Sequence, residues 1–325
     1  MSAALTLDYD EDQQAIGAAI DRFCEQRDVA GAARRGDGVF PHELWRALAE
    51  LGVFAAGAPH REDAGDAQTL CAIAEALGRN VFPGPVADTF LALQVLDREA
   101  AEEVIAGRAL VAVSRGGTGL FPWGLEADLF LVVNETAVAR VDTPADLQPL
   151  QTLGGEIWGR GATTASDALA GSARALTIGN IAAAAYLAGA GLRLVRETGD
   201  YVAARRQFGR TLGEFQAVAH PLADCAIAVT AAQHLARAAA CSVQAQPRGS
   251  ADGRAATLAA GAALSAGDAA LRAAYTCHQA YGAIGVTVEG PAFHFSRRIR
   301  HLATQATAGA REQDLLLAEA GLGAQ

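Results

Sequence analysis

The sequence predicts a mainly α-helical fold with an N-terminal helical domain, a reduced central β domain and a C-terminal four-helix bundle. Apolar residues recur at helical spacing near both ends of the chain, whereas its middle contains short β-branched runs bounded by turn residues. The 325 residues, 51% of them hydrophobic and 19% charged, are enough for a large buried core. We expect the three domains to span residues 1–107, 108–170 and 171–325.

The N-terminal domain contains start and stop signals for several helices. The acidic residues 10–12 precede apolar residues at helical spacing, which predicts a first helix. Pro41 opens a second helix that Gly52 helps to end, and residues 69–80 form a third. After the breaker at 83–85, the run VADTFLALQVL returns to helix.

The middle of the chain predicts strands at 109–114, 128–133 and 136–142, with Asn134 and Glu135 forming a tight connection. We interpret this region as a small antiparallel unit. Beyond it, helical runs cover 172–203, 212–245, 251–282 and 309–321. The most apolar stretch, 178–192, falls short of about 20 strongly apolar residues, so we expect a core helix rather than a membrane span.

Composition excludes several classes of function. All 26 basic residues are arginine, which excludes lysine-dependent sites such as a Schiff base or a phosphate-binding P-loop. The excess of 36 acidic residues argues against nucleic acid or an anionic membrane as a partner. The five scattered cysteines and the absence of HxxxH or HExxH patterns indicate buried thiols and no metal site. The first residues lack a signal-peptide pattern, so we expect a cytoplasmic protein.

Two segments carry residue types suited to binding a cofactor. In YVAARRQFGRTLGEFQ (201–216), Arg205 stands at a helix junction where it can hold an anion, and Phe208 can stack on a flat ring. The same residues also fit a purely structural role, in which a charged helix end is capped by glycine and the phenylalanine is buried.

The second segment is CHQAYGAIGVTVEG (277–290). Gly282 and Gly285 allow close approach of the backbone to a ligand, and Gln279 offers both a donor and an acceptor. A plain glycine-rich helix ending fits this segment as well.

In this order and spacing, the two segments resemble the C-terminal signature of the acyl-CoA dehydrogenase family, YxxxRxQFGxxLxxFQ followed by QxxGxxGxTxE. The segments LWRALAELGVFAAGAP and IAEALGRNVFPGP resemble its N-terminal domain. The resemblance implies FAD shared between two subunits, with these motifs reaching the neighbour's flavin. Residues so assigned are Arg205 and Phe208 on the pyrophosphate and adenosine side, Phe215 and Gln216 on the next helix, and Gln279, Gly282 and Ala283 at the ADP moiety.

The family's reaction needs a carboxylate that removes the α-proton of the thioester while hydride leaves the β-carbon. The two family positions for this base fall at Ala173 and near Ala306, and neither carries an acid. Glu312 lies a few residues further on and is a candidate, although an exposed acid in the first turn of the last helix fits it too.

The middle domain is also short for the family, and residues 110–115 and 156–158 are what remains of the strands that hold the flavin ring. Both departures resemble the short subunit of heteromeric α2β2 acyl-CoA dehydrogenases that act on bulky, steroid-like thioesters. There, a full-length partner subunit brings the base and the ring pocket.

We therefore expect FAD-dependent α,β-dehydrogenation of an acyl-CoA by a base-lacking subunit, with electron-transfer flavoprotein as the acceptor. Three alternatives remain: a self-sufficient homomeric dehydrogenase that uses Glu312, a scaffold or acyl-CoA-binding subunit without flavin, and a flavin monooxygenase of the same fold.

Overall fold

The N-terminal helices of the computed structural model begin where acidic residues cap them. The structure describes residues 6–31, 39–134, 137–144, 146–152, 156–164, 167–244, 253–307 and 310–322. Asp10, Asp66 and Asp97 each accept a hydrogen bond from a backbone N–H in the first turn of the helix that follows. The helices are α1 (Glu11–Gln26), α2 (His42–Glu50), α3 (Ala67–Arg79), α4 (Val86–Leu93) and α5 (Arg98–Ile105).

The middle of the chain forms two three-stranded sheets in the orders β1-β3-β4 and β2-β6-β5. The strands are β1 (Val111–Arg115), β2 (Leu120–Phe121), β3 (Leu129–Val133), β4 (Val138–Val141), β5 (Gln148–Gln151) and β6 (Ile157–Arg160). The prediction of an antiparallel unit is wrong for β1 and β3, which pair in parallel, because the chain crosses the second sheet as β2 between them.

The connection from β3 to β4 is tight, as predicted. The two strands pair antiparallel, and the N–H of Asn134 donates to the carbonyl oxygen of Ala137. Glu135 lies outside the described residues.

Long helices and a small hairpin make up the C-terminal part. They are α6 (Ser172–Ala204), β7 (Arg206–Gln207), β8 (Arg210–Thr211), α7 (Gln216–Gln244), α8 (Gly253–Tyr281), α9 (Pro291–Thr307) and α10 (Ala310–Glu319). The helical runs predicted from the sequence correspond to α6, α7, α8 and α10, whereas α9, which starts at Pro291, was not among them.

Helix α6 is the core helix that its composition predicts. Within the described residues it is the one helix long and apolar enough to cross a membrane, but 94% of its most apolar window is buried inside the fold. The five cysteines are also all buried and free, as expected.

Helices α3 and α6 cross with their backbones in contact. A Cβ atom on Gly78 would collide with the carbonyl oxygen of Tyr186, and one on Gly189 would collide with that of Glu75. Only glycine permits this approach, which joins the N-terminal helices to the C-terminal bundle.

The carboxylate of Glu75 ties three parts of the chain together beside this crossing. It is buried and accepts hydrogen bonds from the hydroxyl of Tyr9 (2.9 Å), from Gln233 (2.8 Å) and from Nη2 (3.0 Å) and Nε (3.2 Å) of Arg237, with Arg79 3.3 Å away. A buried carboxylate is tolerated only with such complete pairing.

We expect Glu75→Ala to destabilise the protein by about 3 kcal/mol or more, because the buried guanidinium of Arg237 loses its counter-ion. Thermal and denaturant unfolding measure the loss. Glu103→Ala is the control, since it removes only an exposed partner of Arg108 and should melt like wild type. An unchanged midpoint for Glu75→Ala would show that the network contributes nothing.

Candidate functional site

The two motif segments lie at one end of the C-terminal bundle. Helices α6 and α8 both end there, and the rings of Tyr201 and Tyr281 pack 4.5 Å apart at 33°. The structure thus brings together segments that are about seventy residues apart in sequence, as a shared binding surface requires.

A short hairpin carries the first segment outward. Strands β7 and β8 pair Gln207 with Arg210, and the two turn residues Phe208 and Gly209 have φ values of +53° and +83°. Positive φ at both central residues is the hairpin turn that suits the strand twist, but it strains a phenylalanine. The ring of Phe208 is 90% exposed, so the alternative of a buried phenylalanine is wrong.

Arg205 is an exposed cation at the end of α6. Its backbone is extended, and its guanidinium donates no hydrogen bond to another described residue. The neighbouring Arg206 instead donates to the carbonyl oxygen of Gly209 at 3.1 Å. Arg205 is therefore available to an anion outside the chain.

Phe215 and Gln216 follow the hairpin at the start of α7. Gln216 is exposed, whereas Phe215 is half-buried with the guanidinium carbon of Arg210 lying 3.9 Å above its ring centre. The ring of Phe215 also packs perpendicular to that of Phe208, with the ring centres 6.2 Å apart. Phe215 therefore packs against side chains of the hairpin and does not project freely into solvent.

The second segment presents backbone and a free amide at the end of α8. Gln279 and Ala283 are exposed, and Gly282 has φ +63° with open space where a Cβ would stand. Ala283 does not adopt positive φ, so the change from the family's common glycine causes no strain. Gly285 packs against the carbonyl oxygen of His278, which fixes the loop on α8.

This surface fits the ADP half of a dinucleotide. It offers an unpaired guanidinium, an exposed ring, an amide and accessible backbone N–H groups, which suit a pyrophosphate and a purine. It is an open face, whereas cofactor sites enclose most of their ligand.

The region expected to hold a flavin ring is closed. Strand β6 packs directly on α9, with Nε1 of Trp158 donating to Nδ1 of His301 at 3.2 Å. Glu156, only 2% exposed, lies 3.0 Å from Nη1 of Arg298 and 3.4 Å from Nδ1 of His301. We call these four residues the β6–α9 cluster.

Aromatic packing seals the cluster further. Trp123 is buried at φ +59°, beneath Arg298 at 5.7 Å and beside His301 at 5.9 Å. A cavity of about 10 Å³ remains next to it, between α4 and α9, which holds about one water molecule. A cavity of this size does not admit a three-ring isoalloxazine.

The carboxyl group of Glu156 is held ionised. Burial alone would raise its pKa, but the charges of His301 and Arg298 outweigh that effect and lower the pKa from 4.5 to about 2. A carboxylate with so low a pKa is a weak proton acceptor at neutral pH.

The two positions expected to hold the base carry no acid, and Glu312 is buried rather than exposed. Ala173 is exposed in the first turn of α6, and Ala306 lies in α9 with its side chain outside the described residues. Glu312 is 6% exposed and accepts a hydrogen bond from Nδ2 of Asn180 at 3.2 Å. The expectation of an exposed acid is wrong because this turn of α10 faces α6.

Each carboxylate that is buried among the described residues has a partner. Glu75 binds Arg237, Asp88 lies 2.6 Å from Arg115, and Glu156 lies beside Arg298. Glu312 accepts a hydrogen bond from the amide of Asn180.

Sequence reasoning missed the β6–α9 cluster. It placed residues 156–158 among the remnants of the flavin-ring strands and interpreted the arginines of 297–300 as a packed helix face. No local sequence pattern connects Glu156 with Arg298, which lies 142 positions further on within a basic run.

Comparison with known proteins agrees with the geometry. The family model for the acyl-CoA dehydrogenase N-terminal domain matches residues 10–106, and that for the C-terminal domain matches residues 170–321. Acyl-CoA dehydrogenase FadE34 of Mycobacterium tuberculosis is 30% identical over 303 residues, covering 84% of this chain but 41% of FadE34. The chain thus spans less than half of that relative.

Two solved structures share the fold over nearly the whole chain. The ChsE4-ChsE5 complex from Mycobacterium tuberculosis superposes with a TM-score of 0.77 at 22% identity, covering 97% of this chain and 98% of that one. A Tcur3481-Tcur3483 steroid ACAD variant gives 0.77 at 23%, covering 97% and 99%.

We expect Glu156→Gln to change how stability depends on pH. Because folding lowers the pKa of Glu156, its carboxylate stabilises the fold above pH 4.5, and this contribution is lost as the pH falls towards 2. The difference in unfolding midpoint between wild type and Glu156→Gln should therefore shrink over that range. Glu43→Gln, at an exposed site on α2, should keep the wild-type profile. A constant difference between wild type and Glu156→Gln would contradict the ionised cluster.

Proposed function

The chain belongs to the acyl-CoA dehydrogenase family, whose members are FAD-dependent enzymes, and we propose that it is the short, base-lacking subunit of a heteromeric acyl-CoA dehydrogenase. A full-length family member forms the heterotetramer with it. The partner provides the flavin-ring pocket and the carboxylate, and this chain completes the FAD site through the end of its C-terminal bundle.

The observation that carries this proposal is the closed β6–α9 cluster. A self-sufficient subunit needs room for the flavin ring between its β domain and its C-terminal helices. Here Trp158, His301, Glu156 and Arg298 occupy that interface with a hydrogen bond and a buried ion pair. The dinucleotide-binding residues remain on the surface, where only another chain can enclose a ligand.

When bound in the assembly, FAD would supply the acceptor for the hydride that leaves the β-carbon of the acyl thioester. Arg205 offsets pyrophosphate charge, and Phe208 packs against the adenosine side. Gln279 and the backbone at Gly282 and Ala283 orient the ADP moiety through hydrogen bonds. Ala173 provides no proton acceptor, so the partner's carboxylate removes the α-proton.

The substrate class we infer is a bulky, steroid-like acyl-CoA. This rests on the likeness to the Tcur3481-Tcur3483 steroid ACAD and to the ChsE4-ChsE5 complex, two structures named for pairs of proteins. Electron-transfer flavoprotein is the acceptor that the family's chemistry indicates, and the cytoplasm is the expected compartment.

One observation favours a second function, a self-sufficient homomeric dehydrogenase. Glu312 is buried and accepts a hydrogen bond from Asn180, instead of being exposed. A carboxylate in such a setting is closer to a working base than one on the surface.

We expect Arg205→Ala to lower the FAD content of the purified assembly at least severalfold, because the pyrophosphate loses a charge-assisted partner. Absorbance at the flavin maximum per mole of protein measures it. Arg196→Ala is the matched control, since Arg196 is exposed on the same helix and should leave FAD content unchanged. Full FAD occupancy in Arg205→Ala would exclude the assignment of this surface.

We expect Glu312→Gln to keep turnover within about threefold of wild type, because the partner contributes the base. Glu319→Gln, at an exposed site on the same helix, controls for charge. Single-turnover flavin reduction by acyl-CoA is the measurement. A loss of several orders of magnitude for Glu312→Gln alone would favour the homomeric enzyme.

A further inference from the structure

Arg210 is an exposed cation whose position is fixed by an aromatic platform. Its guanidinium carbon lies 3.9 Å above the ring centre of Phe215, and that ring packs perpendicular to Phe208. A guanidinium stacked in this way keeps its in-plane N–H groups free while losing much of its rotational freedom. Such an arrangement is suited to receiving an anion.

The hairpin register places Arg210 on the same face as Arg205. Gln207 pairs with Arg210, and the N–H of Leu212 donates to the carbonyl oxygen of Arg205 at 2.8 Å. Residues opposite each other, or two apart on one strand, share a face of an antiparallel pair. Arg206, which pairs with Thr211, lies on the other face.

The donors of the three arginines are used differently. Arg206 donates to the carbonyl oxygen of Gly209, whereas Arg205 and Arg210 donate no hydrogen bond to another described residue. Glu214 lies near enough to Arg210 for the arginine's charge to help lower the carboxyl pKa, but its carboxylate accepts from the N–H and hydroxyl of Thr211 at 3.0 and 2.9 Å. The hairpin thus displays two available guanidinium groups on one face.

We propose that Arg210 is a second anion-binding residue of this surface, and that together with Arg205 it holds the two charges of the FAD pyrophosphate. This rests on the proposed function, since it requires that the surface binds the dinucleotide. A pyrophosphate diester carries two negative charges, and a single guanidinium offsets only one of them. Phe215 then acts as the platform that positions Arg210 rather than as a contact to the cofactor.

The test measures FAD dissociation from the assembly purified with its partner subunit, using recovery of free-flavin fluorescence after dilution. We expect Arg210→Ala to weaken FAD binding at least tenfold, and Arg210→Lys to be intermediate, because lysine keeps the charge but loses the planar fork and the stack. Arg206→Ala is the matched control, in the neighbouring pair of the hairpin and on its other face, and should stay within twofold of wild type. Assembly mass and circular dichroism confirm that each variant folds.

The outcomes separate this inference from the proposed function. If Arg205→Ala weakens FAD binding but Arg210→Ala behaves like Arg206→Ala, the inference is overturned and the surface assignment stands. Equal weakening by all three variants would indicate a general charge effect and also overturn it. If Arg205→Ala leaves FAD binding unchanged, the surface assignment itself fails.

Discussion

The ion pair between Glu156 and Arg298 is the interaction on which the rest of this architecture depends. It joins the β unit to the C-terminal helices at a buried position, where an unpaired charge would be very costly. His301 and Trp158 complete it, and Nδ1 of His301 faces both the indole N–H and the carboxylate.

Closure of this interface explains why the two regions assigned to the cofactor differ. The region assigned to the flavin ring is filled by side chains, whereas the region assigned to the ADP moiety is exposed. A fold that kept room for the flavin ring between its β domain and its C-terminal helices would depend on the bound ring to fill that space. This chain fills that interface with its own side chains, so its folding does not depend on a ligand there. The face that we propose for the ADP moiety lies at the end of the bundle where the Tyr201–Tyr281 contact holds both motif segments and the strained turn presents Phe208.

The distribution of charge supports the same division. Residues 1–106 contain 19 acidic side chains and 8 arginines, whereas residues 171–325 contain 10 acidic side chains and 14 arginines. A chain with a net charge of −10 therefore concentrates its positive surplus in the part that carries the binding surface. Such a field attracts an anionic cofactor and favours one docking orientation over others.

Local signals in the sequence predicted much of the fold. Asp10 caps the first helix, Gly52 ends the second, and the apolar run of α6 forms the core, because these effects act over a few residues. The parallel pairing of β1 with β3 was not predictable in this way, since it depends on which sheet β2 joins. The two motif segments, 201–216 and 277–290, could be recognised from their own sequence patterns. The pairing of Glu156 with Arg298 and the burial of Glu312 depend on packing between elements that are far apart in the sequence. No local sequence pattern predicts them.

The most direct test of the central claim is the ratio of FAD to protein chains, measured by native mass spectrometry on this chain alone and with its partner subunit. We predict no stable flavin on the chain alone and one FAD for each pair of unlike chains in the heterotetramer. One FAD per chain in a homo-oligomer of this protein, reduced by acyl-CoA, would contradict the account.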